Sequence, residues 1–206
     1  MNLPSKLTVL RVCLVPVFVV LLLPEKVTTD ALVVMIARVL AVIVFVVAAL
    51  TDIIDGKIAR ARGLVTNFGK LMDPLADKLL VAAAFVAFVD LNLFPAWFVI
   101  IVLFREFIVT GLRTLGIQSG RVIQADRWGK HKTAWQMITI LLTLVFLALR
   151  DMLIYFDQWE RRLGENYLEW WFHHVVLTIL IAICLFLTVL SGTLYVYRNW
   201  DLIRED

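Results

Sequence analysis

Six times between Leu7 and Tyr197 the chain runs for about 20 residues with few charges, the length a helix needs to cross the hydrocarbon of a bilayer. No water-soluble domain of 206 residues needs 62% hydrophobic residues and a mean hydropathy of +0.89. The expected spans are 7–23, 31–52, 73–93, 95–116, 132–149 and 172–197, broken at Pro24, at 92–95 and at 116–120. The fold class is therefore an all-α integral membrane protein, a bundle of six transmembrane helices. No Ser/Pro/Gly-rich linker, low-complexity tract or repeat interrupts it, so residues 1–206 read as a single membrane domain. The stretch 150–171 is the one candidate for a surface insertion. The first apolar run ends without a small-residue cleavage site and reads as a retained helix. Cys13 and Cys184 both lie in apolar runs and read as packing residues, with no disulfide framework.

The net charge of +3 says less than its distribution. Lys6 and Arg11 lie at the N-terminal end. Lys57, Arg60, Arg62 and Lys70 follow span two, and Arg113, Arg121, Arg127, Lys130 and Lys132 follow span four. The intervening loops hold one lysine (Lys26) in 24–30 and none in 90–95, while three arginines meet five acids in 150–171. The excess of Lys and Arg marks the cytoplasmic side, which puts both termini there. The aromatics of 150–171, with His173 and His174, then form an interfacial belt on the outer side. Arg38, in the outer half of span two, is expected to snorkel outward, with a buried pair with an acid as the alternative.

Against this apolar background stand four aspartates, in the string Asp52-x-x-Asp55-Gly56-x-x-Ala59-Arg60, then Gly69-x-x-x-Asp73-x-x-x-Asp77. A carboxylate in or beside hydrocarbon costs a few kcal/mol and needs a partner. Local Lys and Arg are too few to neutralise all four, so a divalent cation is the natural counter-charge. At about 100° per residue Asp52, Asp55, Gly56 and Ala59 share one helix face, and Asp73 and Asp77 share another. Two antiparallel helices joined through 62–70 would bring these faces together. Oxygen-only ligands favour Mg²⁺ or Mn²⁺ over Zn²⁺, and four carboxylates suffice for two ions. Gly56 and Ala59 leave a slot without bulky side chains, Gly69 could serve likewise, and Arg60 could reach a phosphate. Metal, slot and guanidinium together suit a nucleoside diphosphate. Lys57, Arg62, Lys70 and Lys78 read instead as ordinary charges of the cytoplasmic interface.

All eight positions resemble the signature of the CDP-alcohol phosphotransferase family, D-x-x-D-G-x-x-A-R-(x)8-G-x-x-x-D-x-x-x-D. The likeness extends further. Asn2-x-Pro4, Leu7-Thr8-x-x-Arg11, Arg105-Glu106, Thr110-Gly111-Leu112-Arg113 and Gly129-Lys130-x-Lys132-Thr133-x-x-Gln136 are similar to the branch that makes phosphatidylglycerophosphate. Ser5 stands where Asn is frequent, and Ile53-Ile54 replaces a commonly aromatic pair. The resemblance implies transfer of a phosphatidyl group from CDP-diacylglycerol to an alcohol with release of CMP, in the cell (inner) membrane at its cytoplasmic side. Asp52, Asp55 and Asp73 are then the principal metal ligands. Asp77 is the general base and a further contact to metal. Gly56, Ala59 and Gly69 lie on the cytidine side and Arg60 at the diphosphate, with Thr8 and Arg11 at the same level as additional contacts to the CDP-lipid. A homodimer is implied by the family; no nucleic-acid partner is expected.

The acceptor is read from charge. Arg105, Arg113, Lys130 and Lys132 cluster on spans four and five, and an uncharged alcohol would not call for them. Arg105 is too deep in span four to snorkel and should face the interior; Glu106, its neighbour, should pair elsewhere. Glycerol 3-phosphate fits these charges, and the branch resemblance points to it. Another member of the family, a cardiolipin or phosphatidylinositol-phosphate synthase, is the nearest rival. A cation transporter is the remote one, because the acids crowd one end of the spans rather than the bilayer midplane.

Overall fold

The computed structural model describes residues 3–62, 67–118, 127–156 and 167–201, and the side chains among them except those of 3–8, 52–62, 67–77, 117–118, 127 and 167–168. Everything regular in these segments is helical. In chain order come α1 (Leu3–Leu22), a 3₁₀ turn (Pro24–Lys26), α2 (Ala31–Arg62), α3 (Asn67–Asp90), α4 (Ala96–Gln118), α5 (Arg127–Tyr155), α6 (Tyr167–Trp171), a π-helical turn (Phe172–Leu177) and α7 (Thr178–Arg198). The π turn joins α6 to α7 without a break. Among the described residues Ala31–Thr51, Trp128–Tyr155 and Glu169–Arg198 are long and apolar enough to cross a membrane, and Val9–Leu22 is a shorter apolar stretch.

Local chemistry explains the helix ends. Asp30 caps α2: its Oδ1 accepts from the backbone N–H of Leu32 at 2.9 Å and of Val33 at 3.4 Å. At the end of α3, Asn92 takes a left-handed conformation with φ of 56°. That lets Leu93 N–H reach Phe88 O at 2.9 Å and Asn92 N–H reach Val89 O at 3.0 Å, a Schellman closure, and Pro95 then prevents continuation. Pro16 lies inside α1, a position that packed helices in a bilayer tolerate.

Helix α1 packs on both α2 and α3, α5 packs on α2, α3 and α7, and α4 packs on α3 and α7. The core between them is aromatic and aliphatic. Phe85, Phe88, Phe94 and Phe98 interlock with ring centroids 5.3–5.6 Å apart, and Phe146 stacks on Phe172 at 3.5 Å. The outward faces are apolar too: Ile100, Phe104 and Phe107 on α4 and Phe186 on α7 are each more than 60% exposed. Water does not tolerate so much apolar surface, and lipid does, so the molecule is an all-helical membrane protein.

The helices run beyond the apolar spans: α2 continues to Arg62, as the shared helix face of Asp52, Asp55, Gly56 and Ala59 implied, and α5 begins at Arg127. One expectation needs correction. Arg38 does not snorkel. It is 1% exposed, paired with Glu25 of the 3₁₀ turn and 3.5 Å from Asp151 Oδ2 on α5. Arg150 extends the network to Asp151 at 3.0 Å and Glu169 at 3.3 Å. The physical reason is proximity: α2 and α5 face each other, and an acid within reach costs less than a long path to the headgroups. Replacing Arg38 with Met should leave Asp151 buried beside one fewer cation and cost about 3–5 kcal/mol. A thermal melt in detergent would register this as a large fall in midpoint, and Arg38→Met with Asp151→Leu should recover most of it. His174, expected at the interface, stacks on Trp170 with centroids 4.9 Å apart and donates through Nδ1 to the Trp170 carbonyl at 2.9 Å.

Candidate functional site

The acidic signature is divided between the end of one helix and the start of the next. Asp52, Asp55, Gly56, Ala59 and Arg60 occupy the last three turns of α2, while Gly69, Asp73 and Asp77 occupy the first three of α3. The side chains of 52–77 lie outside those described, as does that of Thr8. Arg11, on α1, is 4% exposed. It stands about 12 Å along the axis from the start of α1, and α1 packs against both helices that carry the signature.

What the described side chains do form is a cavity of about 720 Å³. It lies between α2, α3, α4, α5 and α7, and its lining includes a sequence neighbour of each half of the signature. Leu50, two residues before Asp52, lines it from α2; Lys78, the residue after Asp77, lines it from α3. One wall is apolar, with Phe45 and Val46 of α2 facing Met137 and Leu141 of α5. The other is cationic: Arg105, Arg113 and Lys130, singled out in the sequence for an anionic acceptor, come together there with Lys78. Glu106 is the one carboxylate among the described lining residues. Among those residues four cations meet one acid between apolar helices, an arrangement that suits an anion with an oily tail or neighbour.

Arg105 faces inward as its depth suggested, with a side chain 12% exposed. Glu106 does pair elsewhere, with Lys132 of α5, but it also meets Arg105, Oε1 to Nη1 at 3.3 Å. Helix neighbours diverge by about 100°, and the long Arg stem closes that gap. Lys132 is 1% exposed and committed to Glu106, and it does not line the cavity. Lys78, taken from sequence for an interface charge, donates to Thr110 Oγ, whose own hydroxyl donates to Glu106 O at 2.7 Å. Its place directly after Asp77, on the helix that carries the acids, was the signal available for it. Gln136 and Thr139 are buried beyond Lys132 on α5, and Thr139 Oγ lies 3.2 Å from Cys184 Sγ, which is the packing role expected of that cysteine.

The donor set suits hard cations: the signature offers carboxylate oxygen and neither imidazole nor thiolate. Among the described residues no group of three or more His, Cys, Asp or Glu side chains is placed to hold a metal ion.

Comparison with known proteins points the same way. The sequence pattern of the CDP-alcohol phosphatidyltransferase family matches residues 1–181. A Bacillus subtilis protein named CDP-diacylglycerol–glycerol-3-phosphate 3-phosphatidyltransferase is 37% identical over 100% of this chain and 98% of its own. A Mycobacterium tuberculosis protein named as a probable phosphatidylglycerophosphate synthase is 36% identical over 96% of this chain and 81% of its own. A Rickettsia typhi protein with the same name as that of Bacillus is 32% identical over 94% of each.

Proposed function

The chain belongs to the CDP-alcohol phosphatidyltransferase family, and on that premise we propose that it transfers the phosphatidyl group of CDP-diacylglycerol to sn-glycerol 3-phosphate, giving phosphatidylglycerophosphate and CMP. The observation that carries the acceptor is the cationic cavity lined by Lys78, Arg105, Arg113 and Lys130. A phosphorylated polyol brings about two negative charges, which Arg105, Arg113 and Lys130 answer; a neutral alcohol would leave them facing one another.

Six spans crossing the cell membrane with both termini in the cytoplasm complete the reading, with the site at the cytoplasmic face and a homodimer as the assembly. The Lys and Arg distribution supports the orientation. Asp52, Asp55 and Asp73, with Asp77 beside them, would hold two Mg²⁺ or Mn²⁺ ions, which would supply charge neutralisation at the diphosphate. Gly56, Ala59 and Gly69 give the cytidine room, and Arg60 meets the diphosphate, with Thr8 and Arg11 on the CDP-lipid side. Asp77 takes the proton from the acceptor hydroxyl as its oxygen bonds to the phosphatidyl phosphorus. The bond from that phosphorus to the CMP oxygen breaks, and CMP leaves. Because phosphoryl chemistry depends mainly on position and charge, these residues act by holding the two substrates in line. The apolar wall of Phe45, Val46, Met137 and Leu141 gives the lipid a dry surface to lie on.

The test is direct. Purified protein is incubated with CDP-diacylglycerol, Mg²⁺ or Mn²⁺ and a panel of alcohols, and the lipid product is identified by mass. Phosphatidylglycerophosphate is expected from glycerol 3-phosphate, with inositol, serine and ethanolamine inactive; a product from another acceptor overturns the assignment. In the same assay Arg113→Gln should raise KM for glycerol 3-phosphate about tenfold, the worth of one charge-assisted contact, with KM for CDP-diacylglycerol little changed.

A further inference from the structure

Arg105 is threaded between glycines on two other helices. Its guanidinium lies against Gly129 of α5, where a Cβ would stand 3.5 Å from Nη2. Its stem lies against Gly192 of α7, where a Cβ would stand 3.0 Å from Cγ and 3.9 Å from Cβ. Gly111, on α4 itself, has nothing within 4 Å of the corresponding position. The three glycines are thus unequal, and Gly192 is the one a methyl group could not replace without moving its neighbour.

Glycine inside a helix is disfavoured relative to alanine, because it loses more freedom on folding and packs nothing. Helix α7 runs without interruption from Thr178 to Arg198. Its backbone therefore gives no reason for a glycine at 192, while the Arg105 stem does. A contact of 3.0 Å is tighter than nine in ten such contacts, so the Arg105 stem would have to give by a few tenths of an ångström, and because Cγ is one bond from its own Cβ that shift carries to the guanidinium. At the other end of the side chain, Glu106 Oε1 lies 3.3 Å from Nη1, and Lys132 in turn holds Glu106.

We propose that Gly192 is a positioning residue for the acceptor phosphate: it admits the Arg105 stem, so that the guanidinium faces the cavity beside Arg113 and Lys130. The proposal rests on the cavity being the acceptor site, as argued above. It assigns to Gly192 of α7, which lies beyond the matched residues 1–181, a part in recognising the substrate.

Kinetics on the full-length protein test it through a double-mutant cycle. Gly192→Ala should raise KM for glycerol 3-phosphate about tenfold with KM for CDP-diacylglycerol within about twofold. In an Arg105→Ala background, where no Cγ exists to be displaced, Gly192→Ala should add nothing. An equal rise in both backgrounds, or none in the native one, overturns the proposal. An unchanged acceptor KM in Arg105→Ala alone would remove the acceptor-site reading and this proposal with it. A raised KM there beside a normal one in Gly192→Ala removes this proposal only. Should Gly192→Ala fail to give a monodisperse protein, the Arg105→Ala/Gly192→Ala pair should restore it. Failure of both would show that Gly192 serves helix packing alone, and would overturn the proposal.

Discussion

Replacing Asp77 with Asn is expected to lower kcat by about a thousandfold, the middle of the range for loss of a general base, while CDP-diacylglycerol binding persists. The substitution keeps the shape of the side chain and its place on α3 and removes only the basic oxygen. The acceptor hydroxyl must shed its proton as it bonds to phosphorus, and a neutral amide cannot take it. Binding should persist because, in the proposed reading, Asp52, Asp55 and Asp73 would remain to hold the ions, and Gly56, Ala59 and Arg60 to receive the nucleotide. Lys78, next in the chain, lines the cationic cavity together with Arg105, Arg113 and Lys130, so this turn of α3 borders the cavity proposed for the acceptor. An aspartate beside metal has low proton affinity, so the help comes from placement more than from basicity. Turnover and equilibrium binding of labelled CDP-diacylglycerol check it together. Near-normal turnover in Asp77→Asn would remove the residue from the base role, whereas loss of binding would make it chiefly a ligand.

Hydropathy located the apolar parts of the helices well and their ends poorly, for a physical reason. A span ends where the chain leaves hydrocarbon, but a helix ends where its backbone runs out of partners or meets a breaker. The polar stretch 52–62 contains no proline and stays helical, so α2 outruns its apolar part by ten residues, and those are the residues that carry the first half of the signature. Asn92 and Pro95, by contrast, are breakers legible in sequence, and α3 and α4 stop and start beside them. The inward turn of Arg105 was legible from depth alone. The partners of the charges were not. Arg38 and Asp151 are 113 residues apart, Lys132 and Glu106 lie on different helices, and no periodicity within either helix announces such a pairing. Lys132 and Lys130 look alike in sequence, two residues apart on α5. They point about 200° apart on the helix, so one is buried against Glu106 and the other lines the cavity.

Stripping divalent ions from the purified protein with a chelator is expected to abolish turnover, by at least about a hundredfold, and adding Mg²⁺ or Mn²⁺ should restore it. Four aspartates within 26 residues of a membrane protein (Asp52 to Asp77) cannot all remain ionised without a counter-charge. Among the described cations nearby, Lys132 and Arg105 already share the carboxylate of Glu106. The carboxylates are hard oxygen donors, and Mg²⁺ and Mn²⁺ suit such donors while keeping room for substrate phosphate oxygens. Ca²⁺ is larger and takes more ligands at longer distances, so it should occupy the site and restore little. Each ligand removed weakens the site. Asp55→Ala should therefore raise the Mg²⁺ concentration needed for half-maximal activity, and isothermal titration of the protein with Mn²⁺ alone should show the same loss without any turnover. Arg113→Gln should leave both metal measurements unchanged, since that residue answers the acceptor and not the ions. Full activity after exhaustive chelation would mean that the acids are neutralised in some other way, and the shared role given to the ends of α2 and α3 would have to be abandoned.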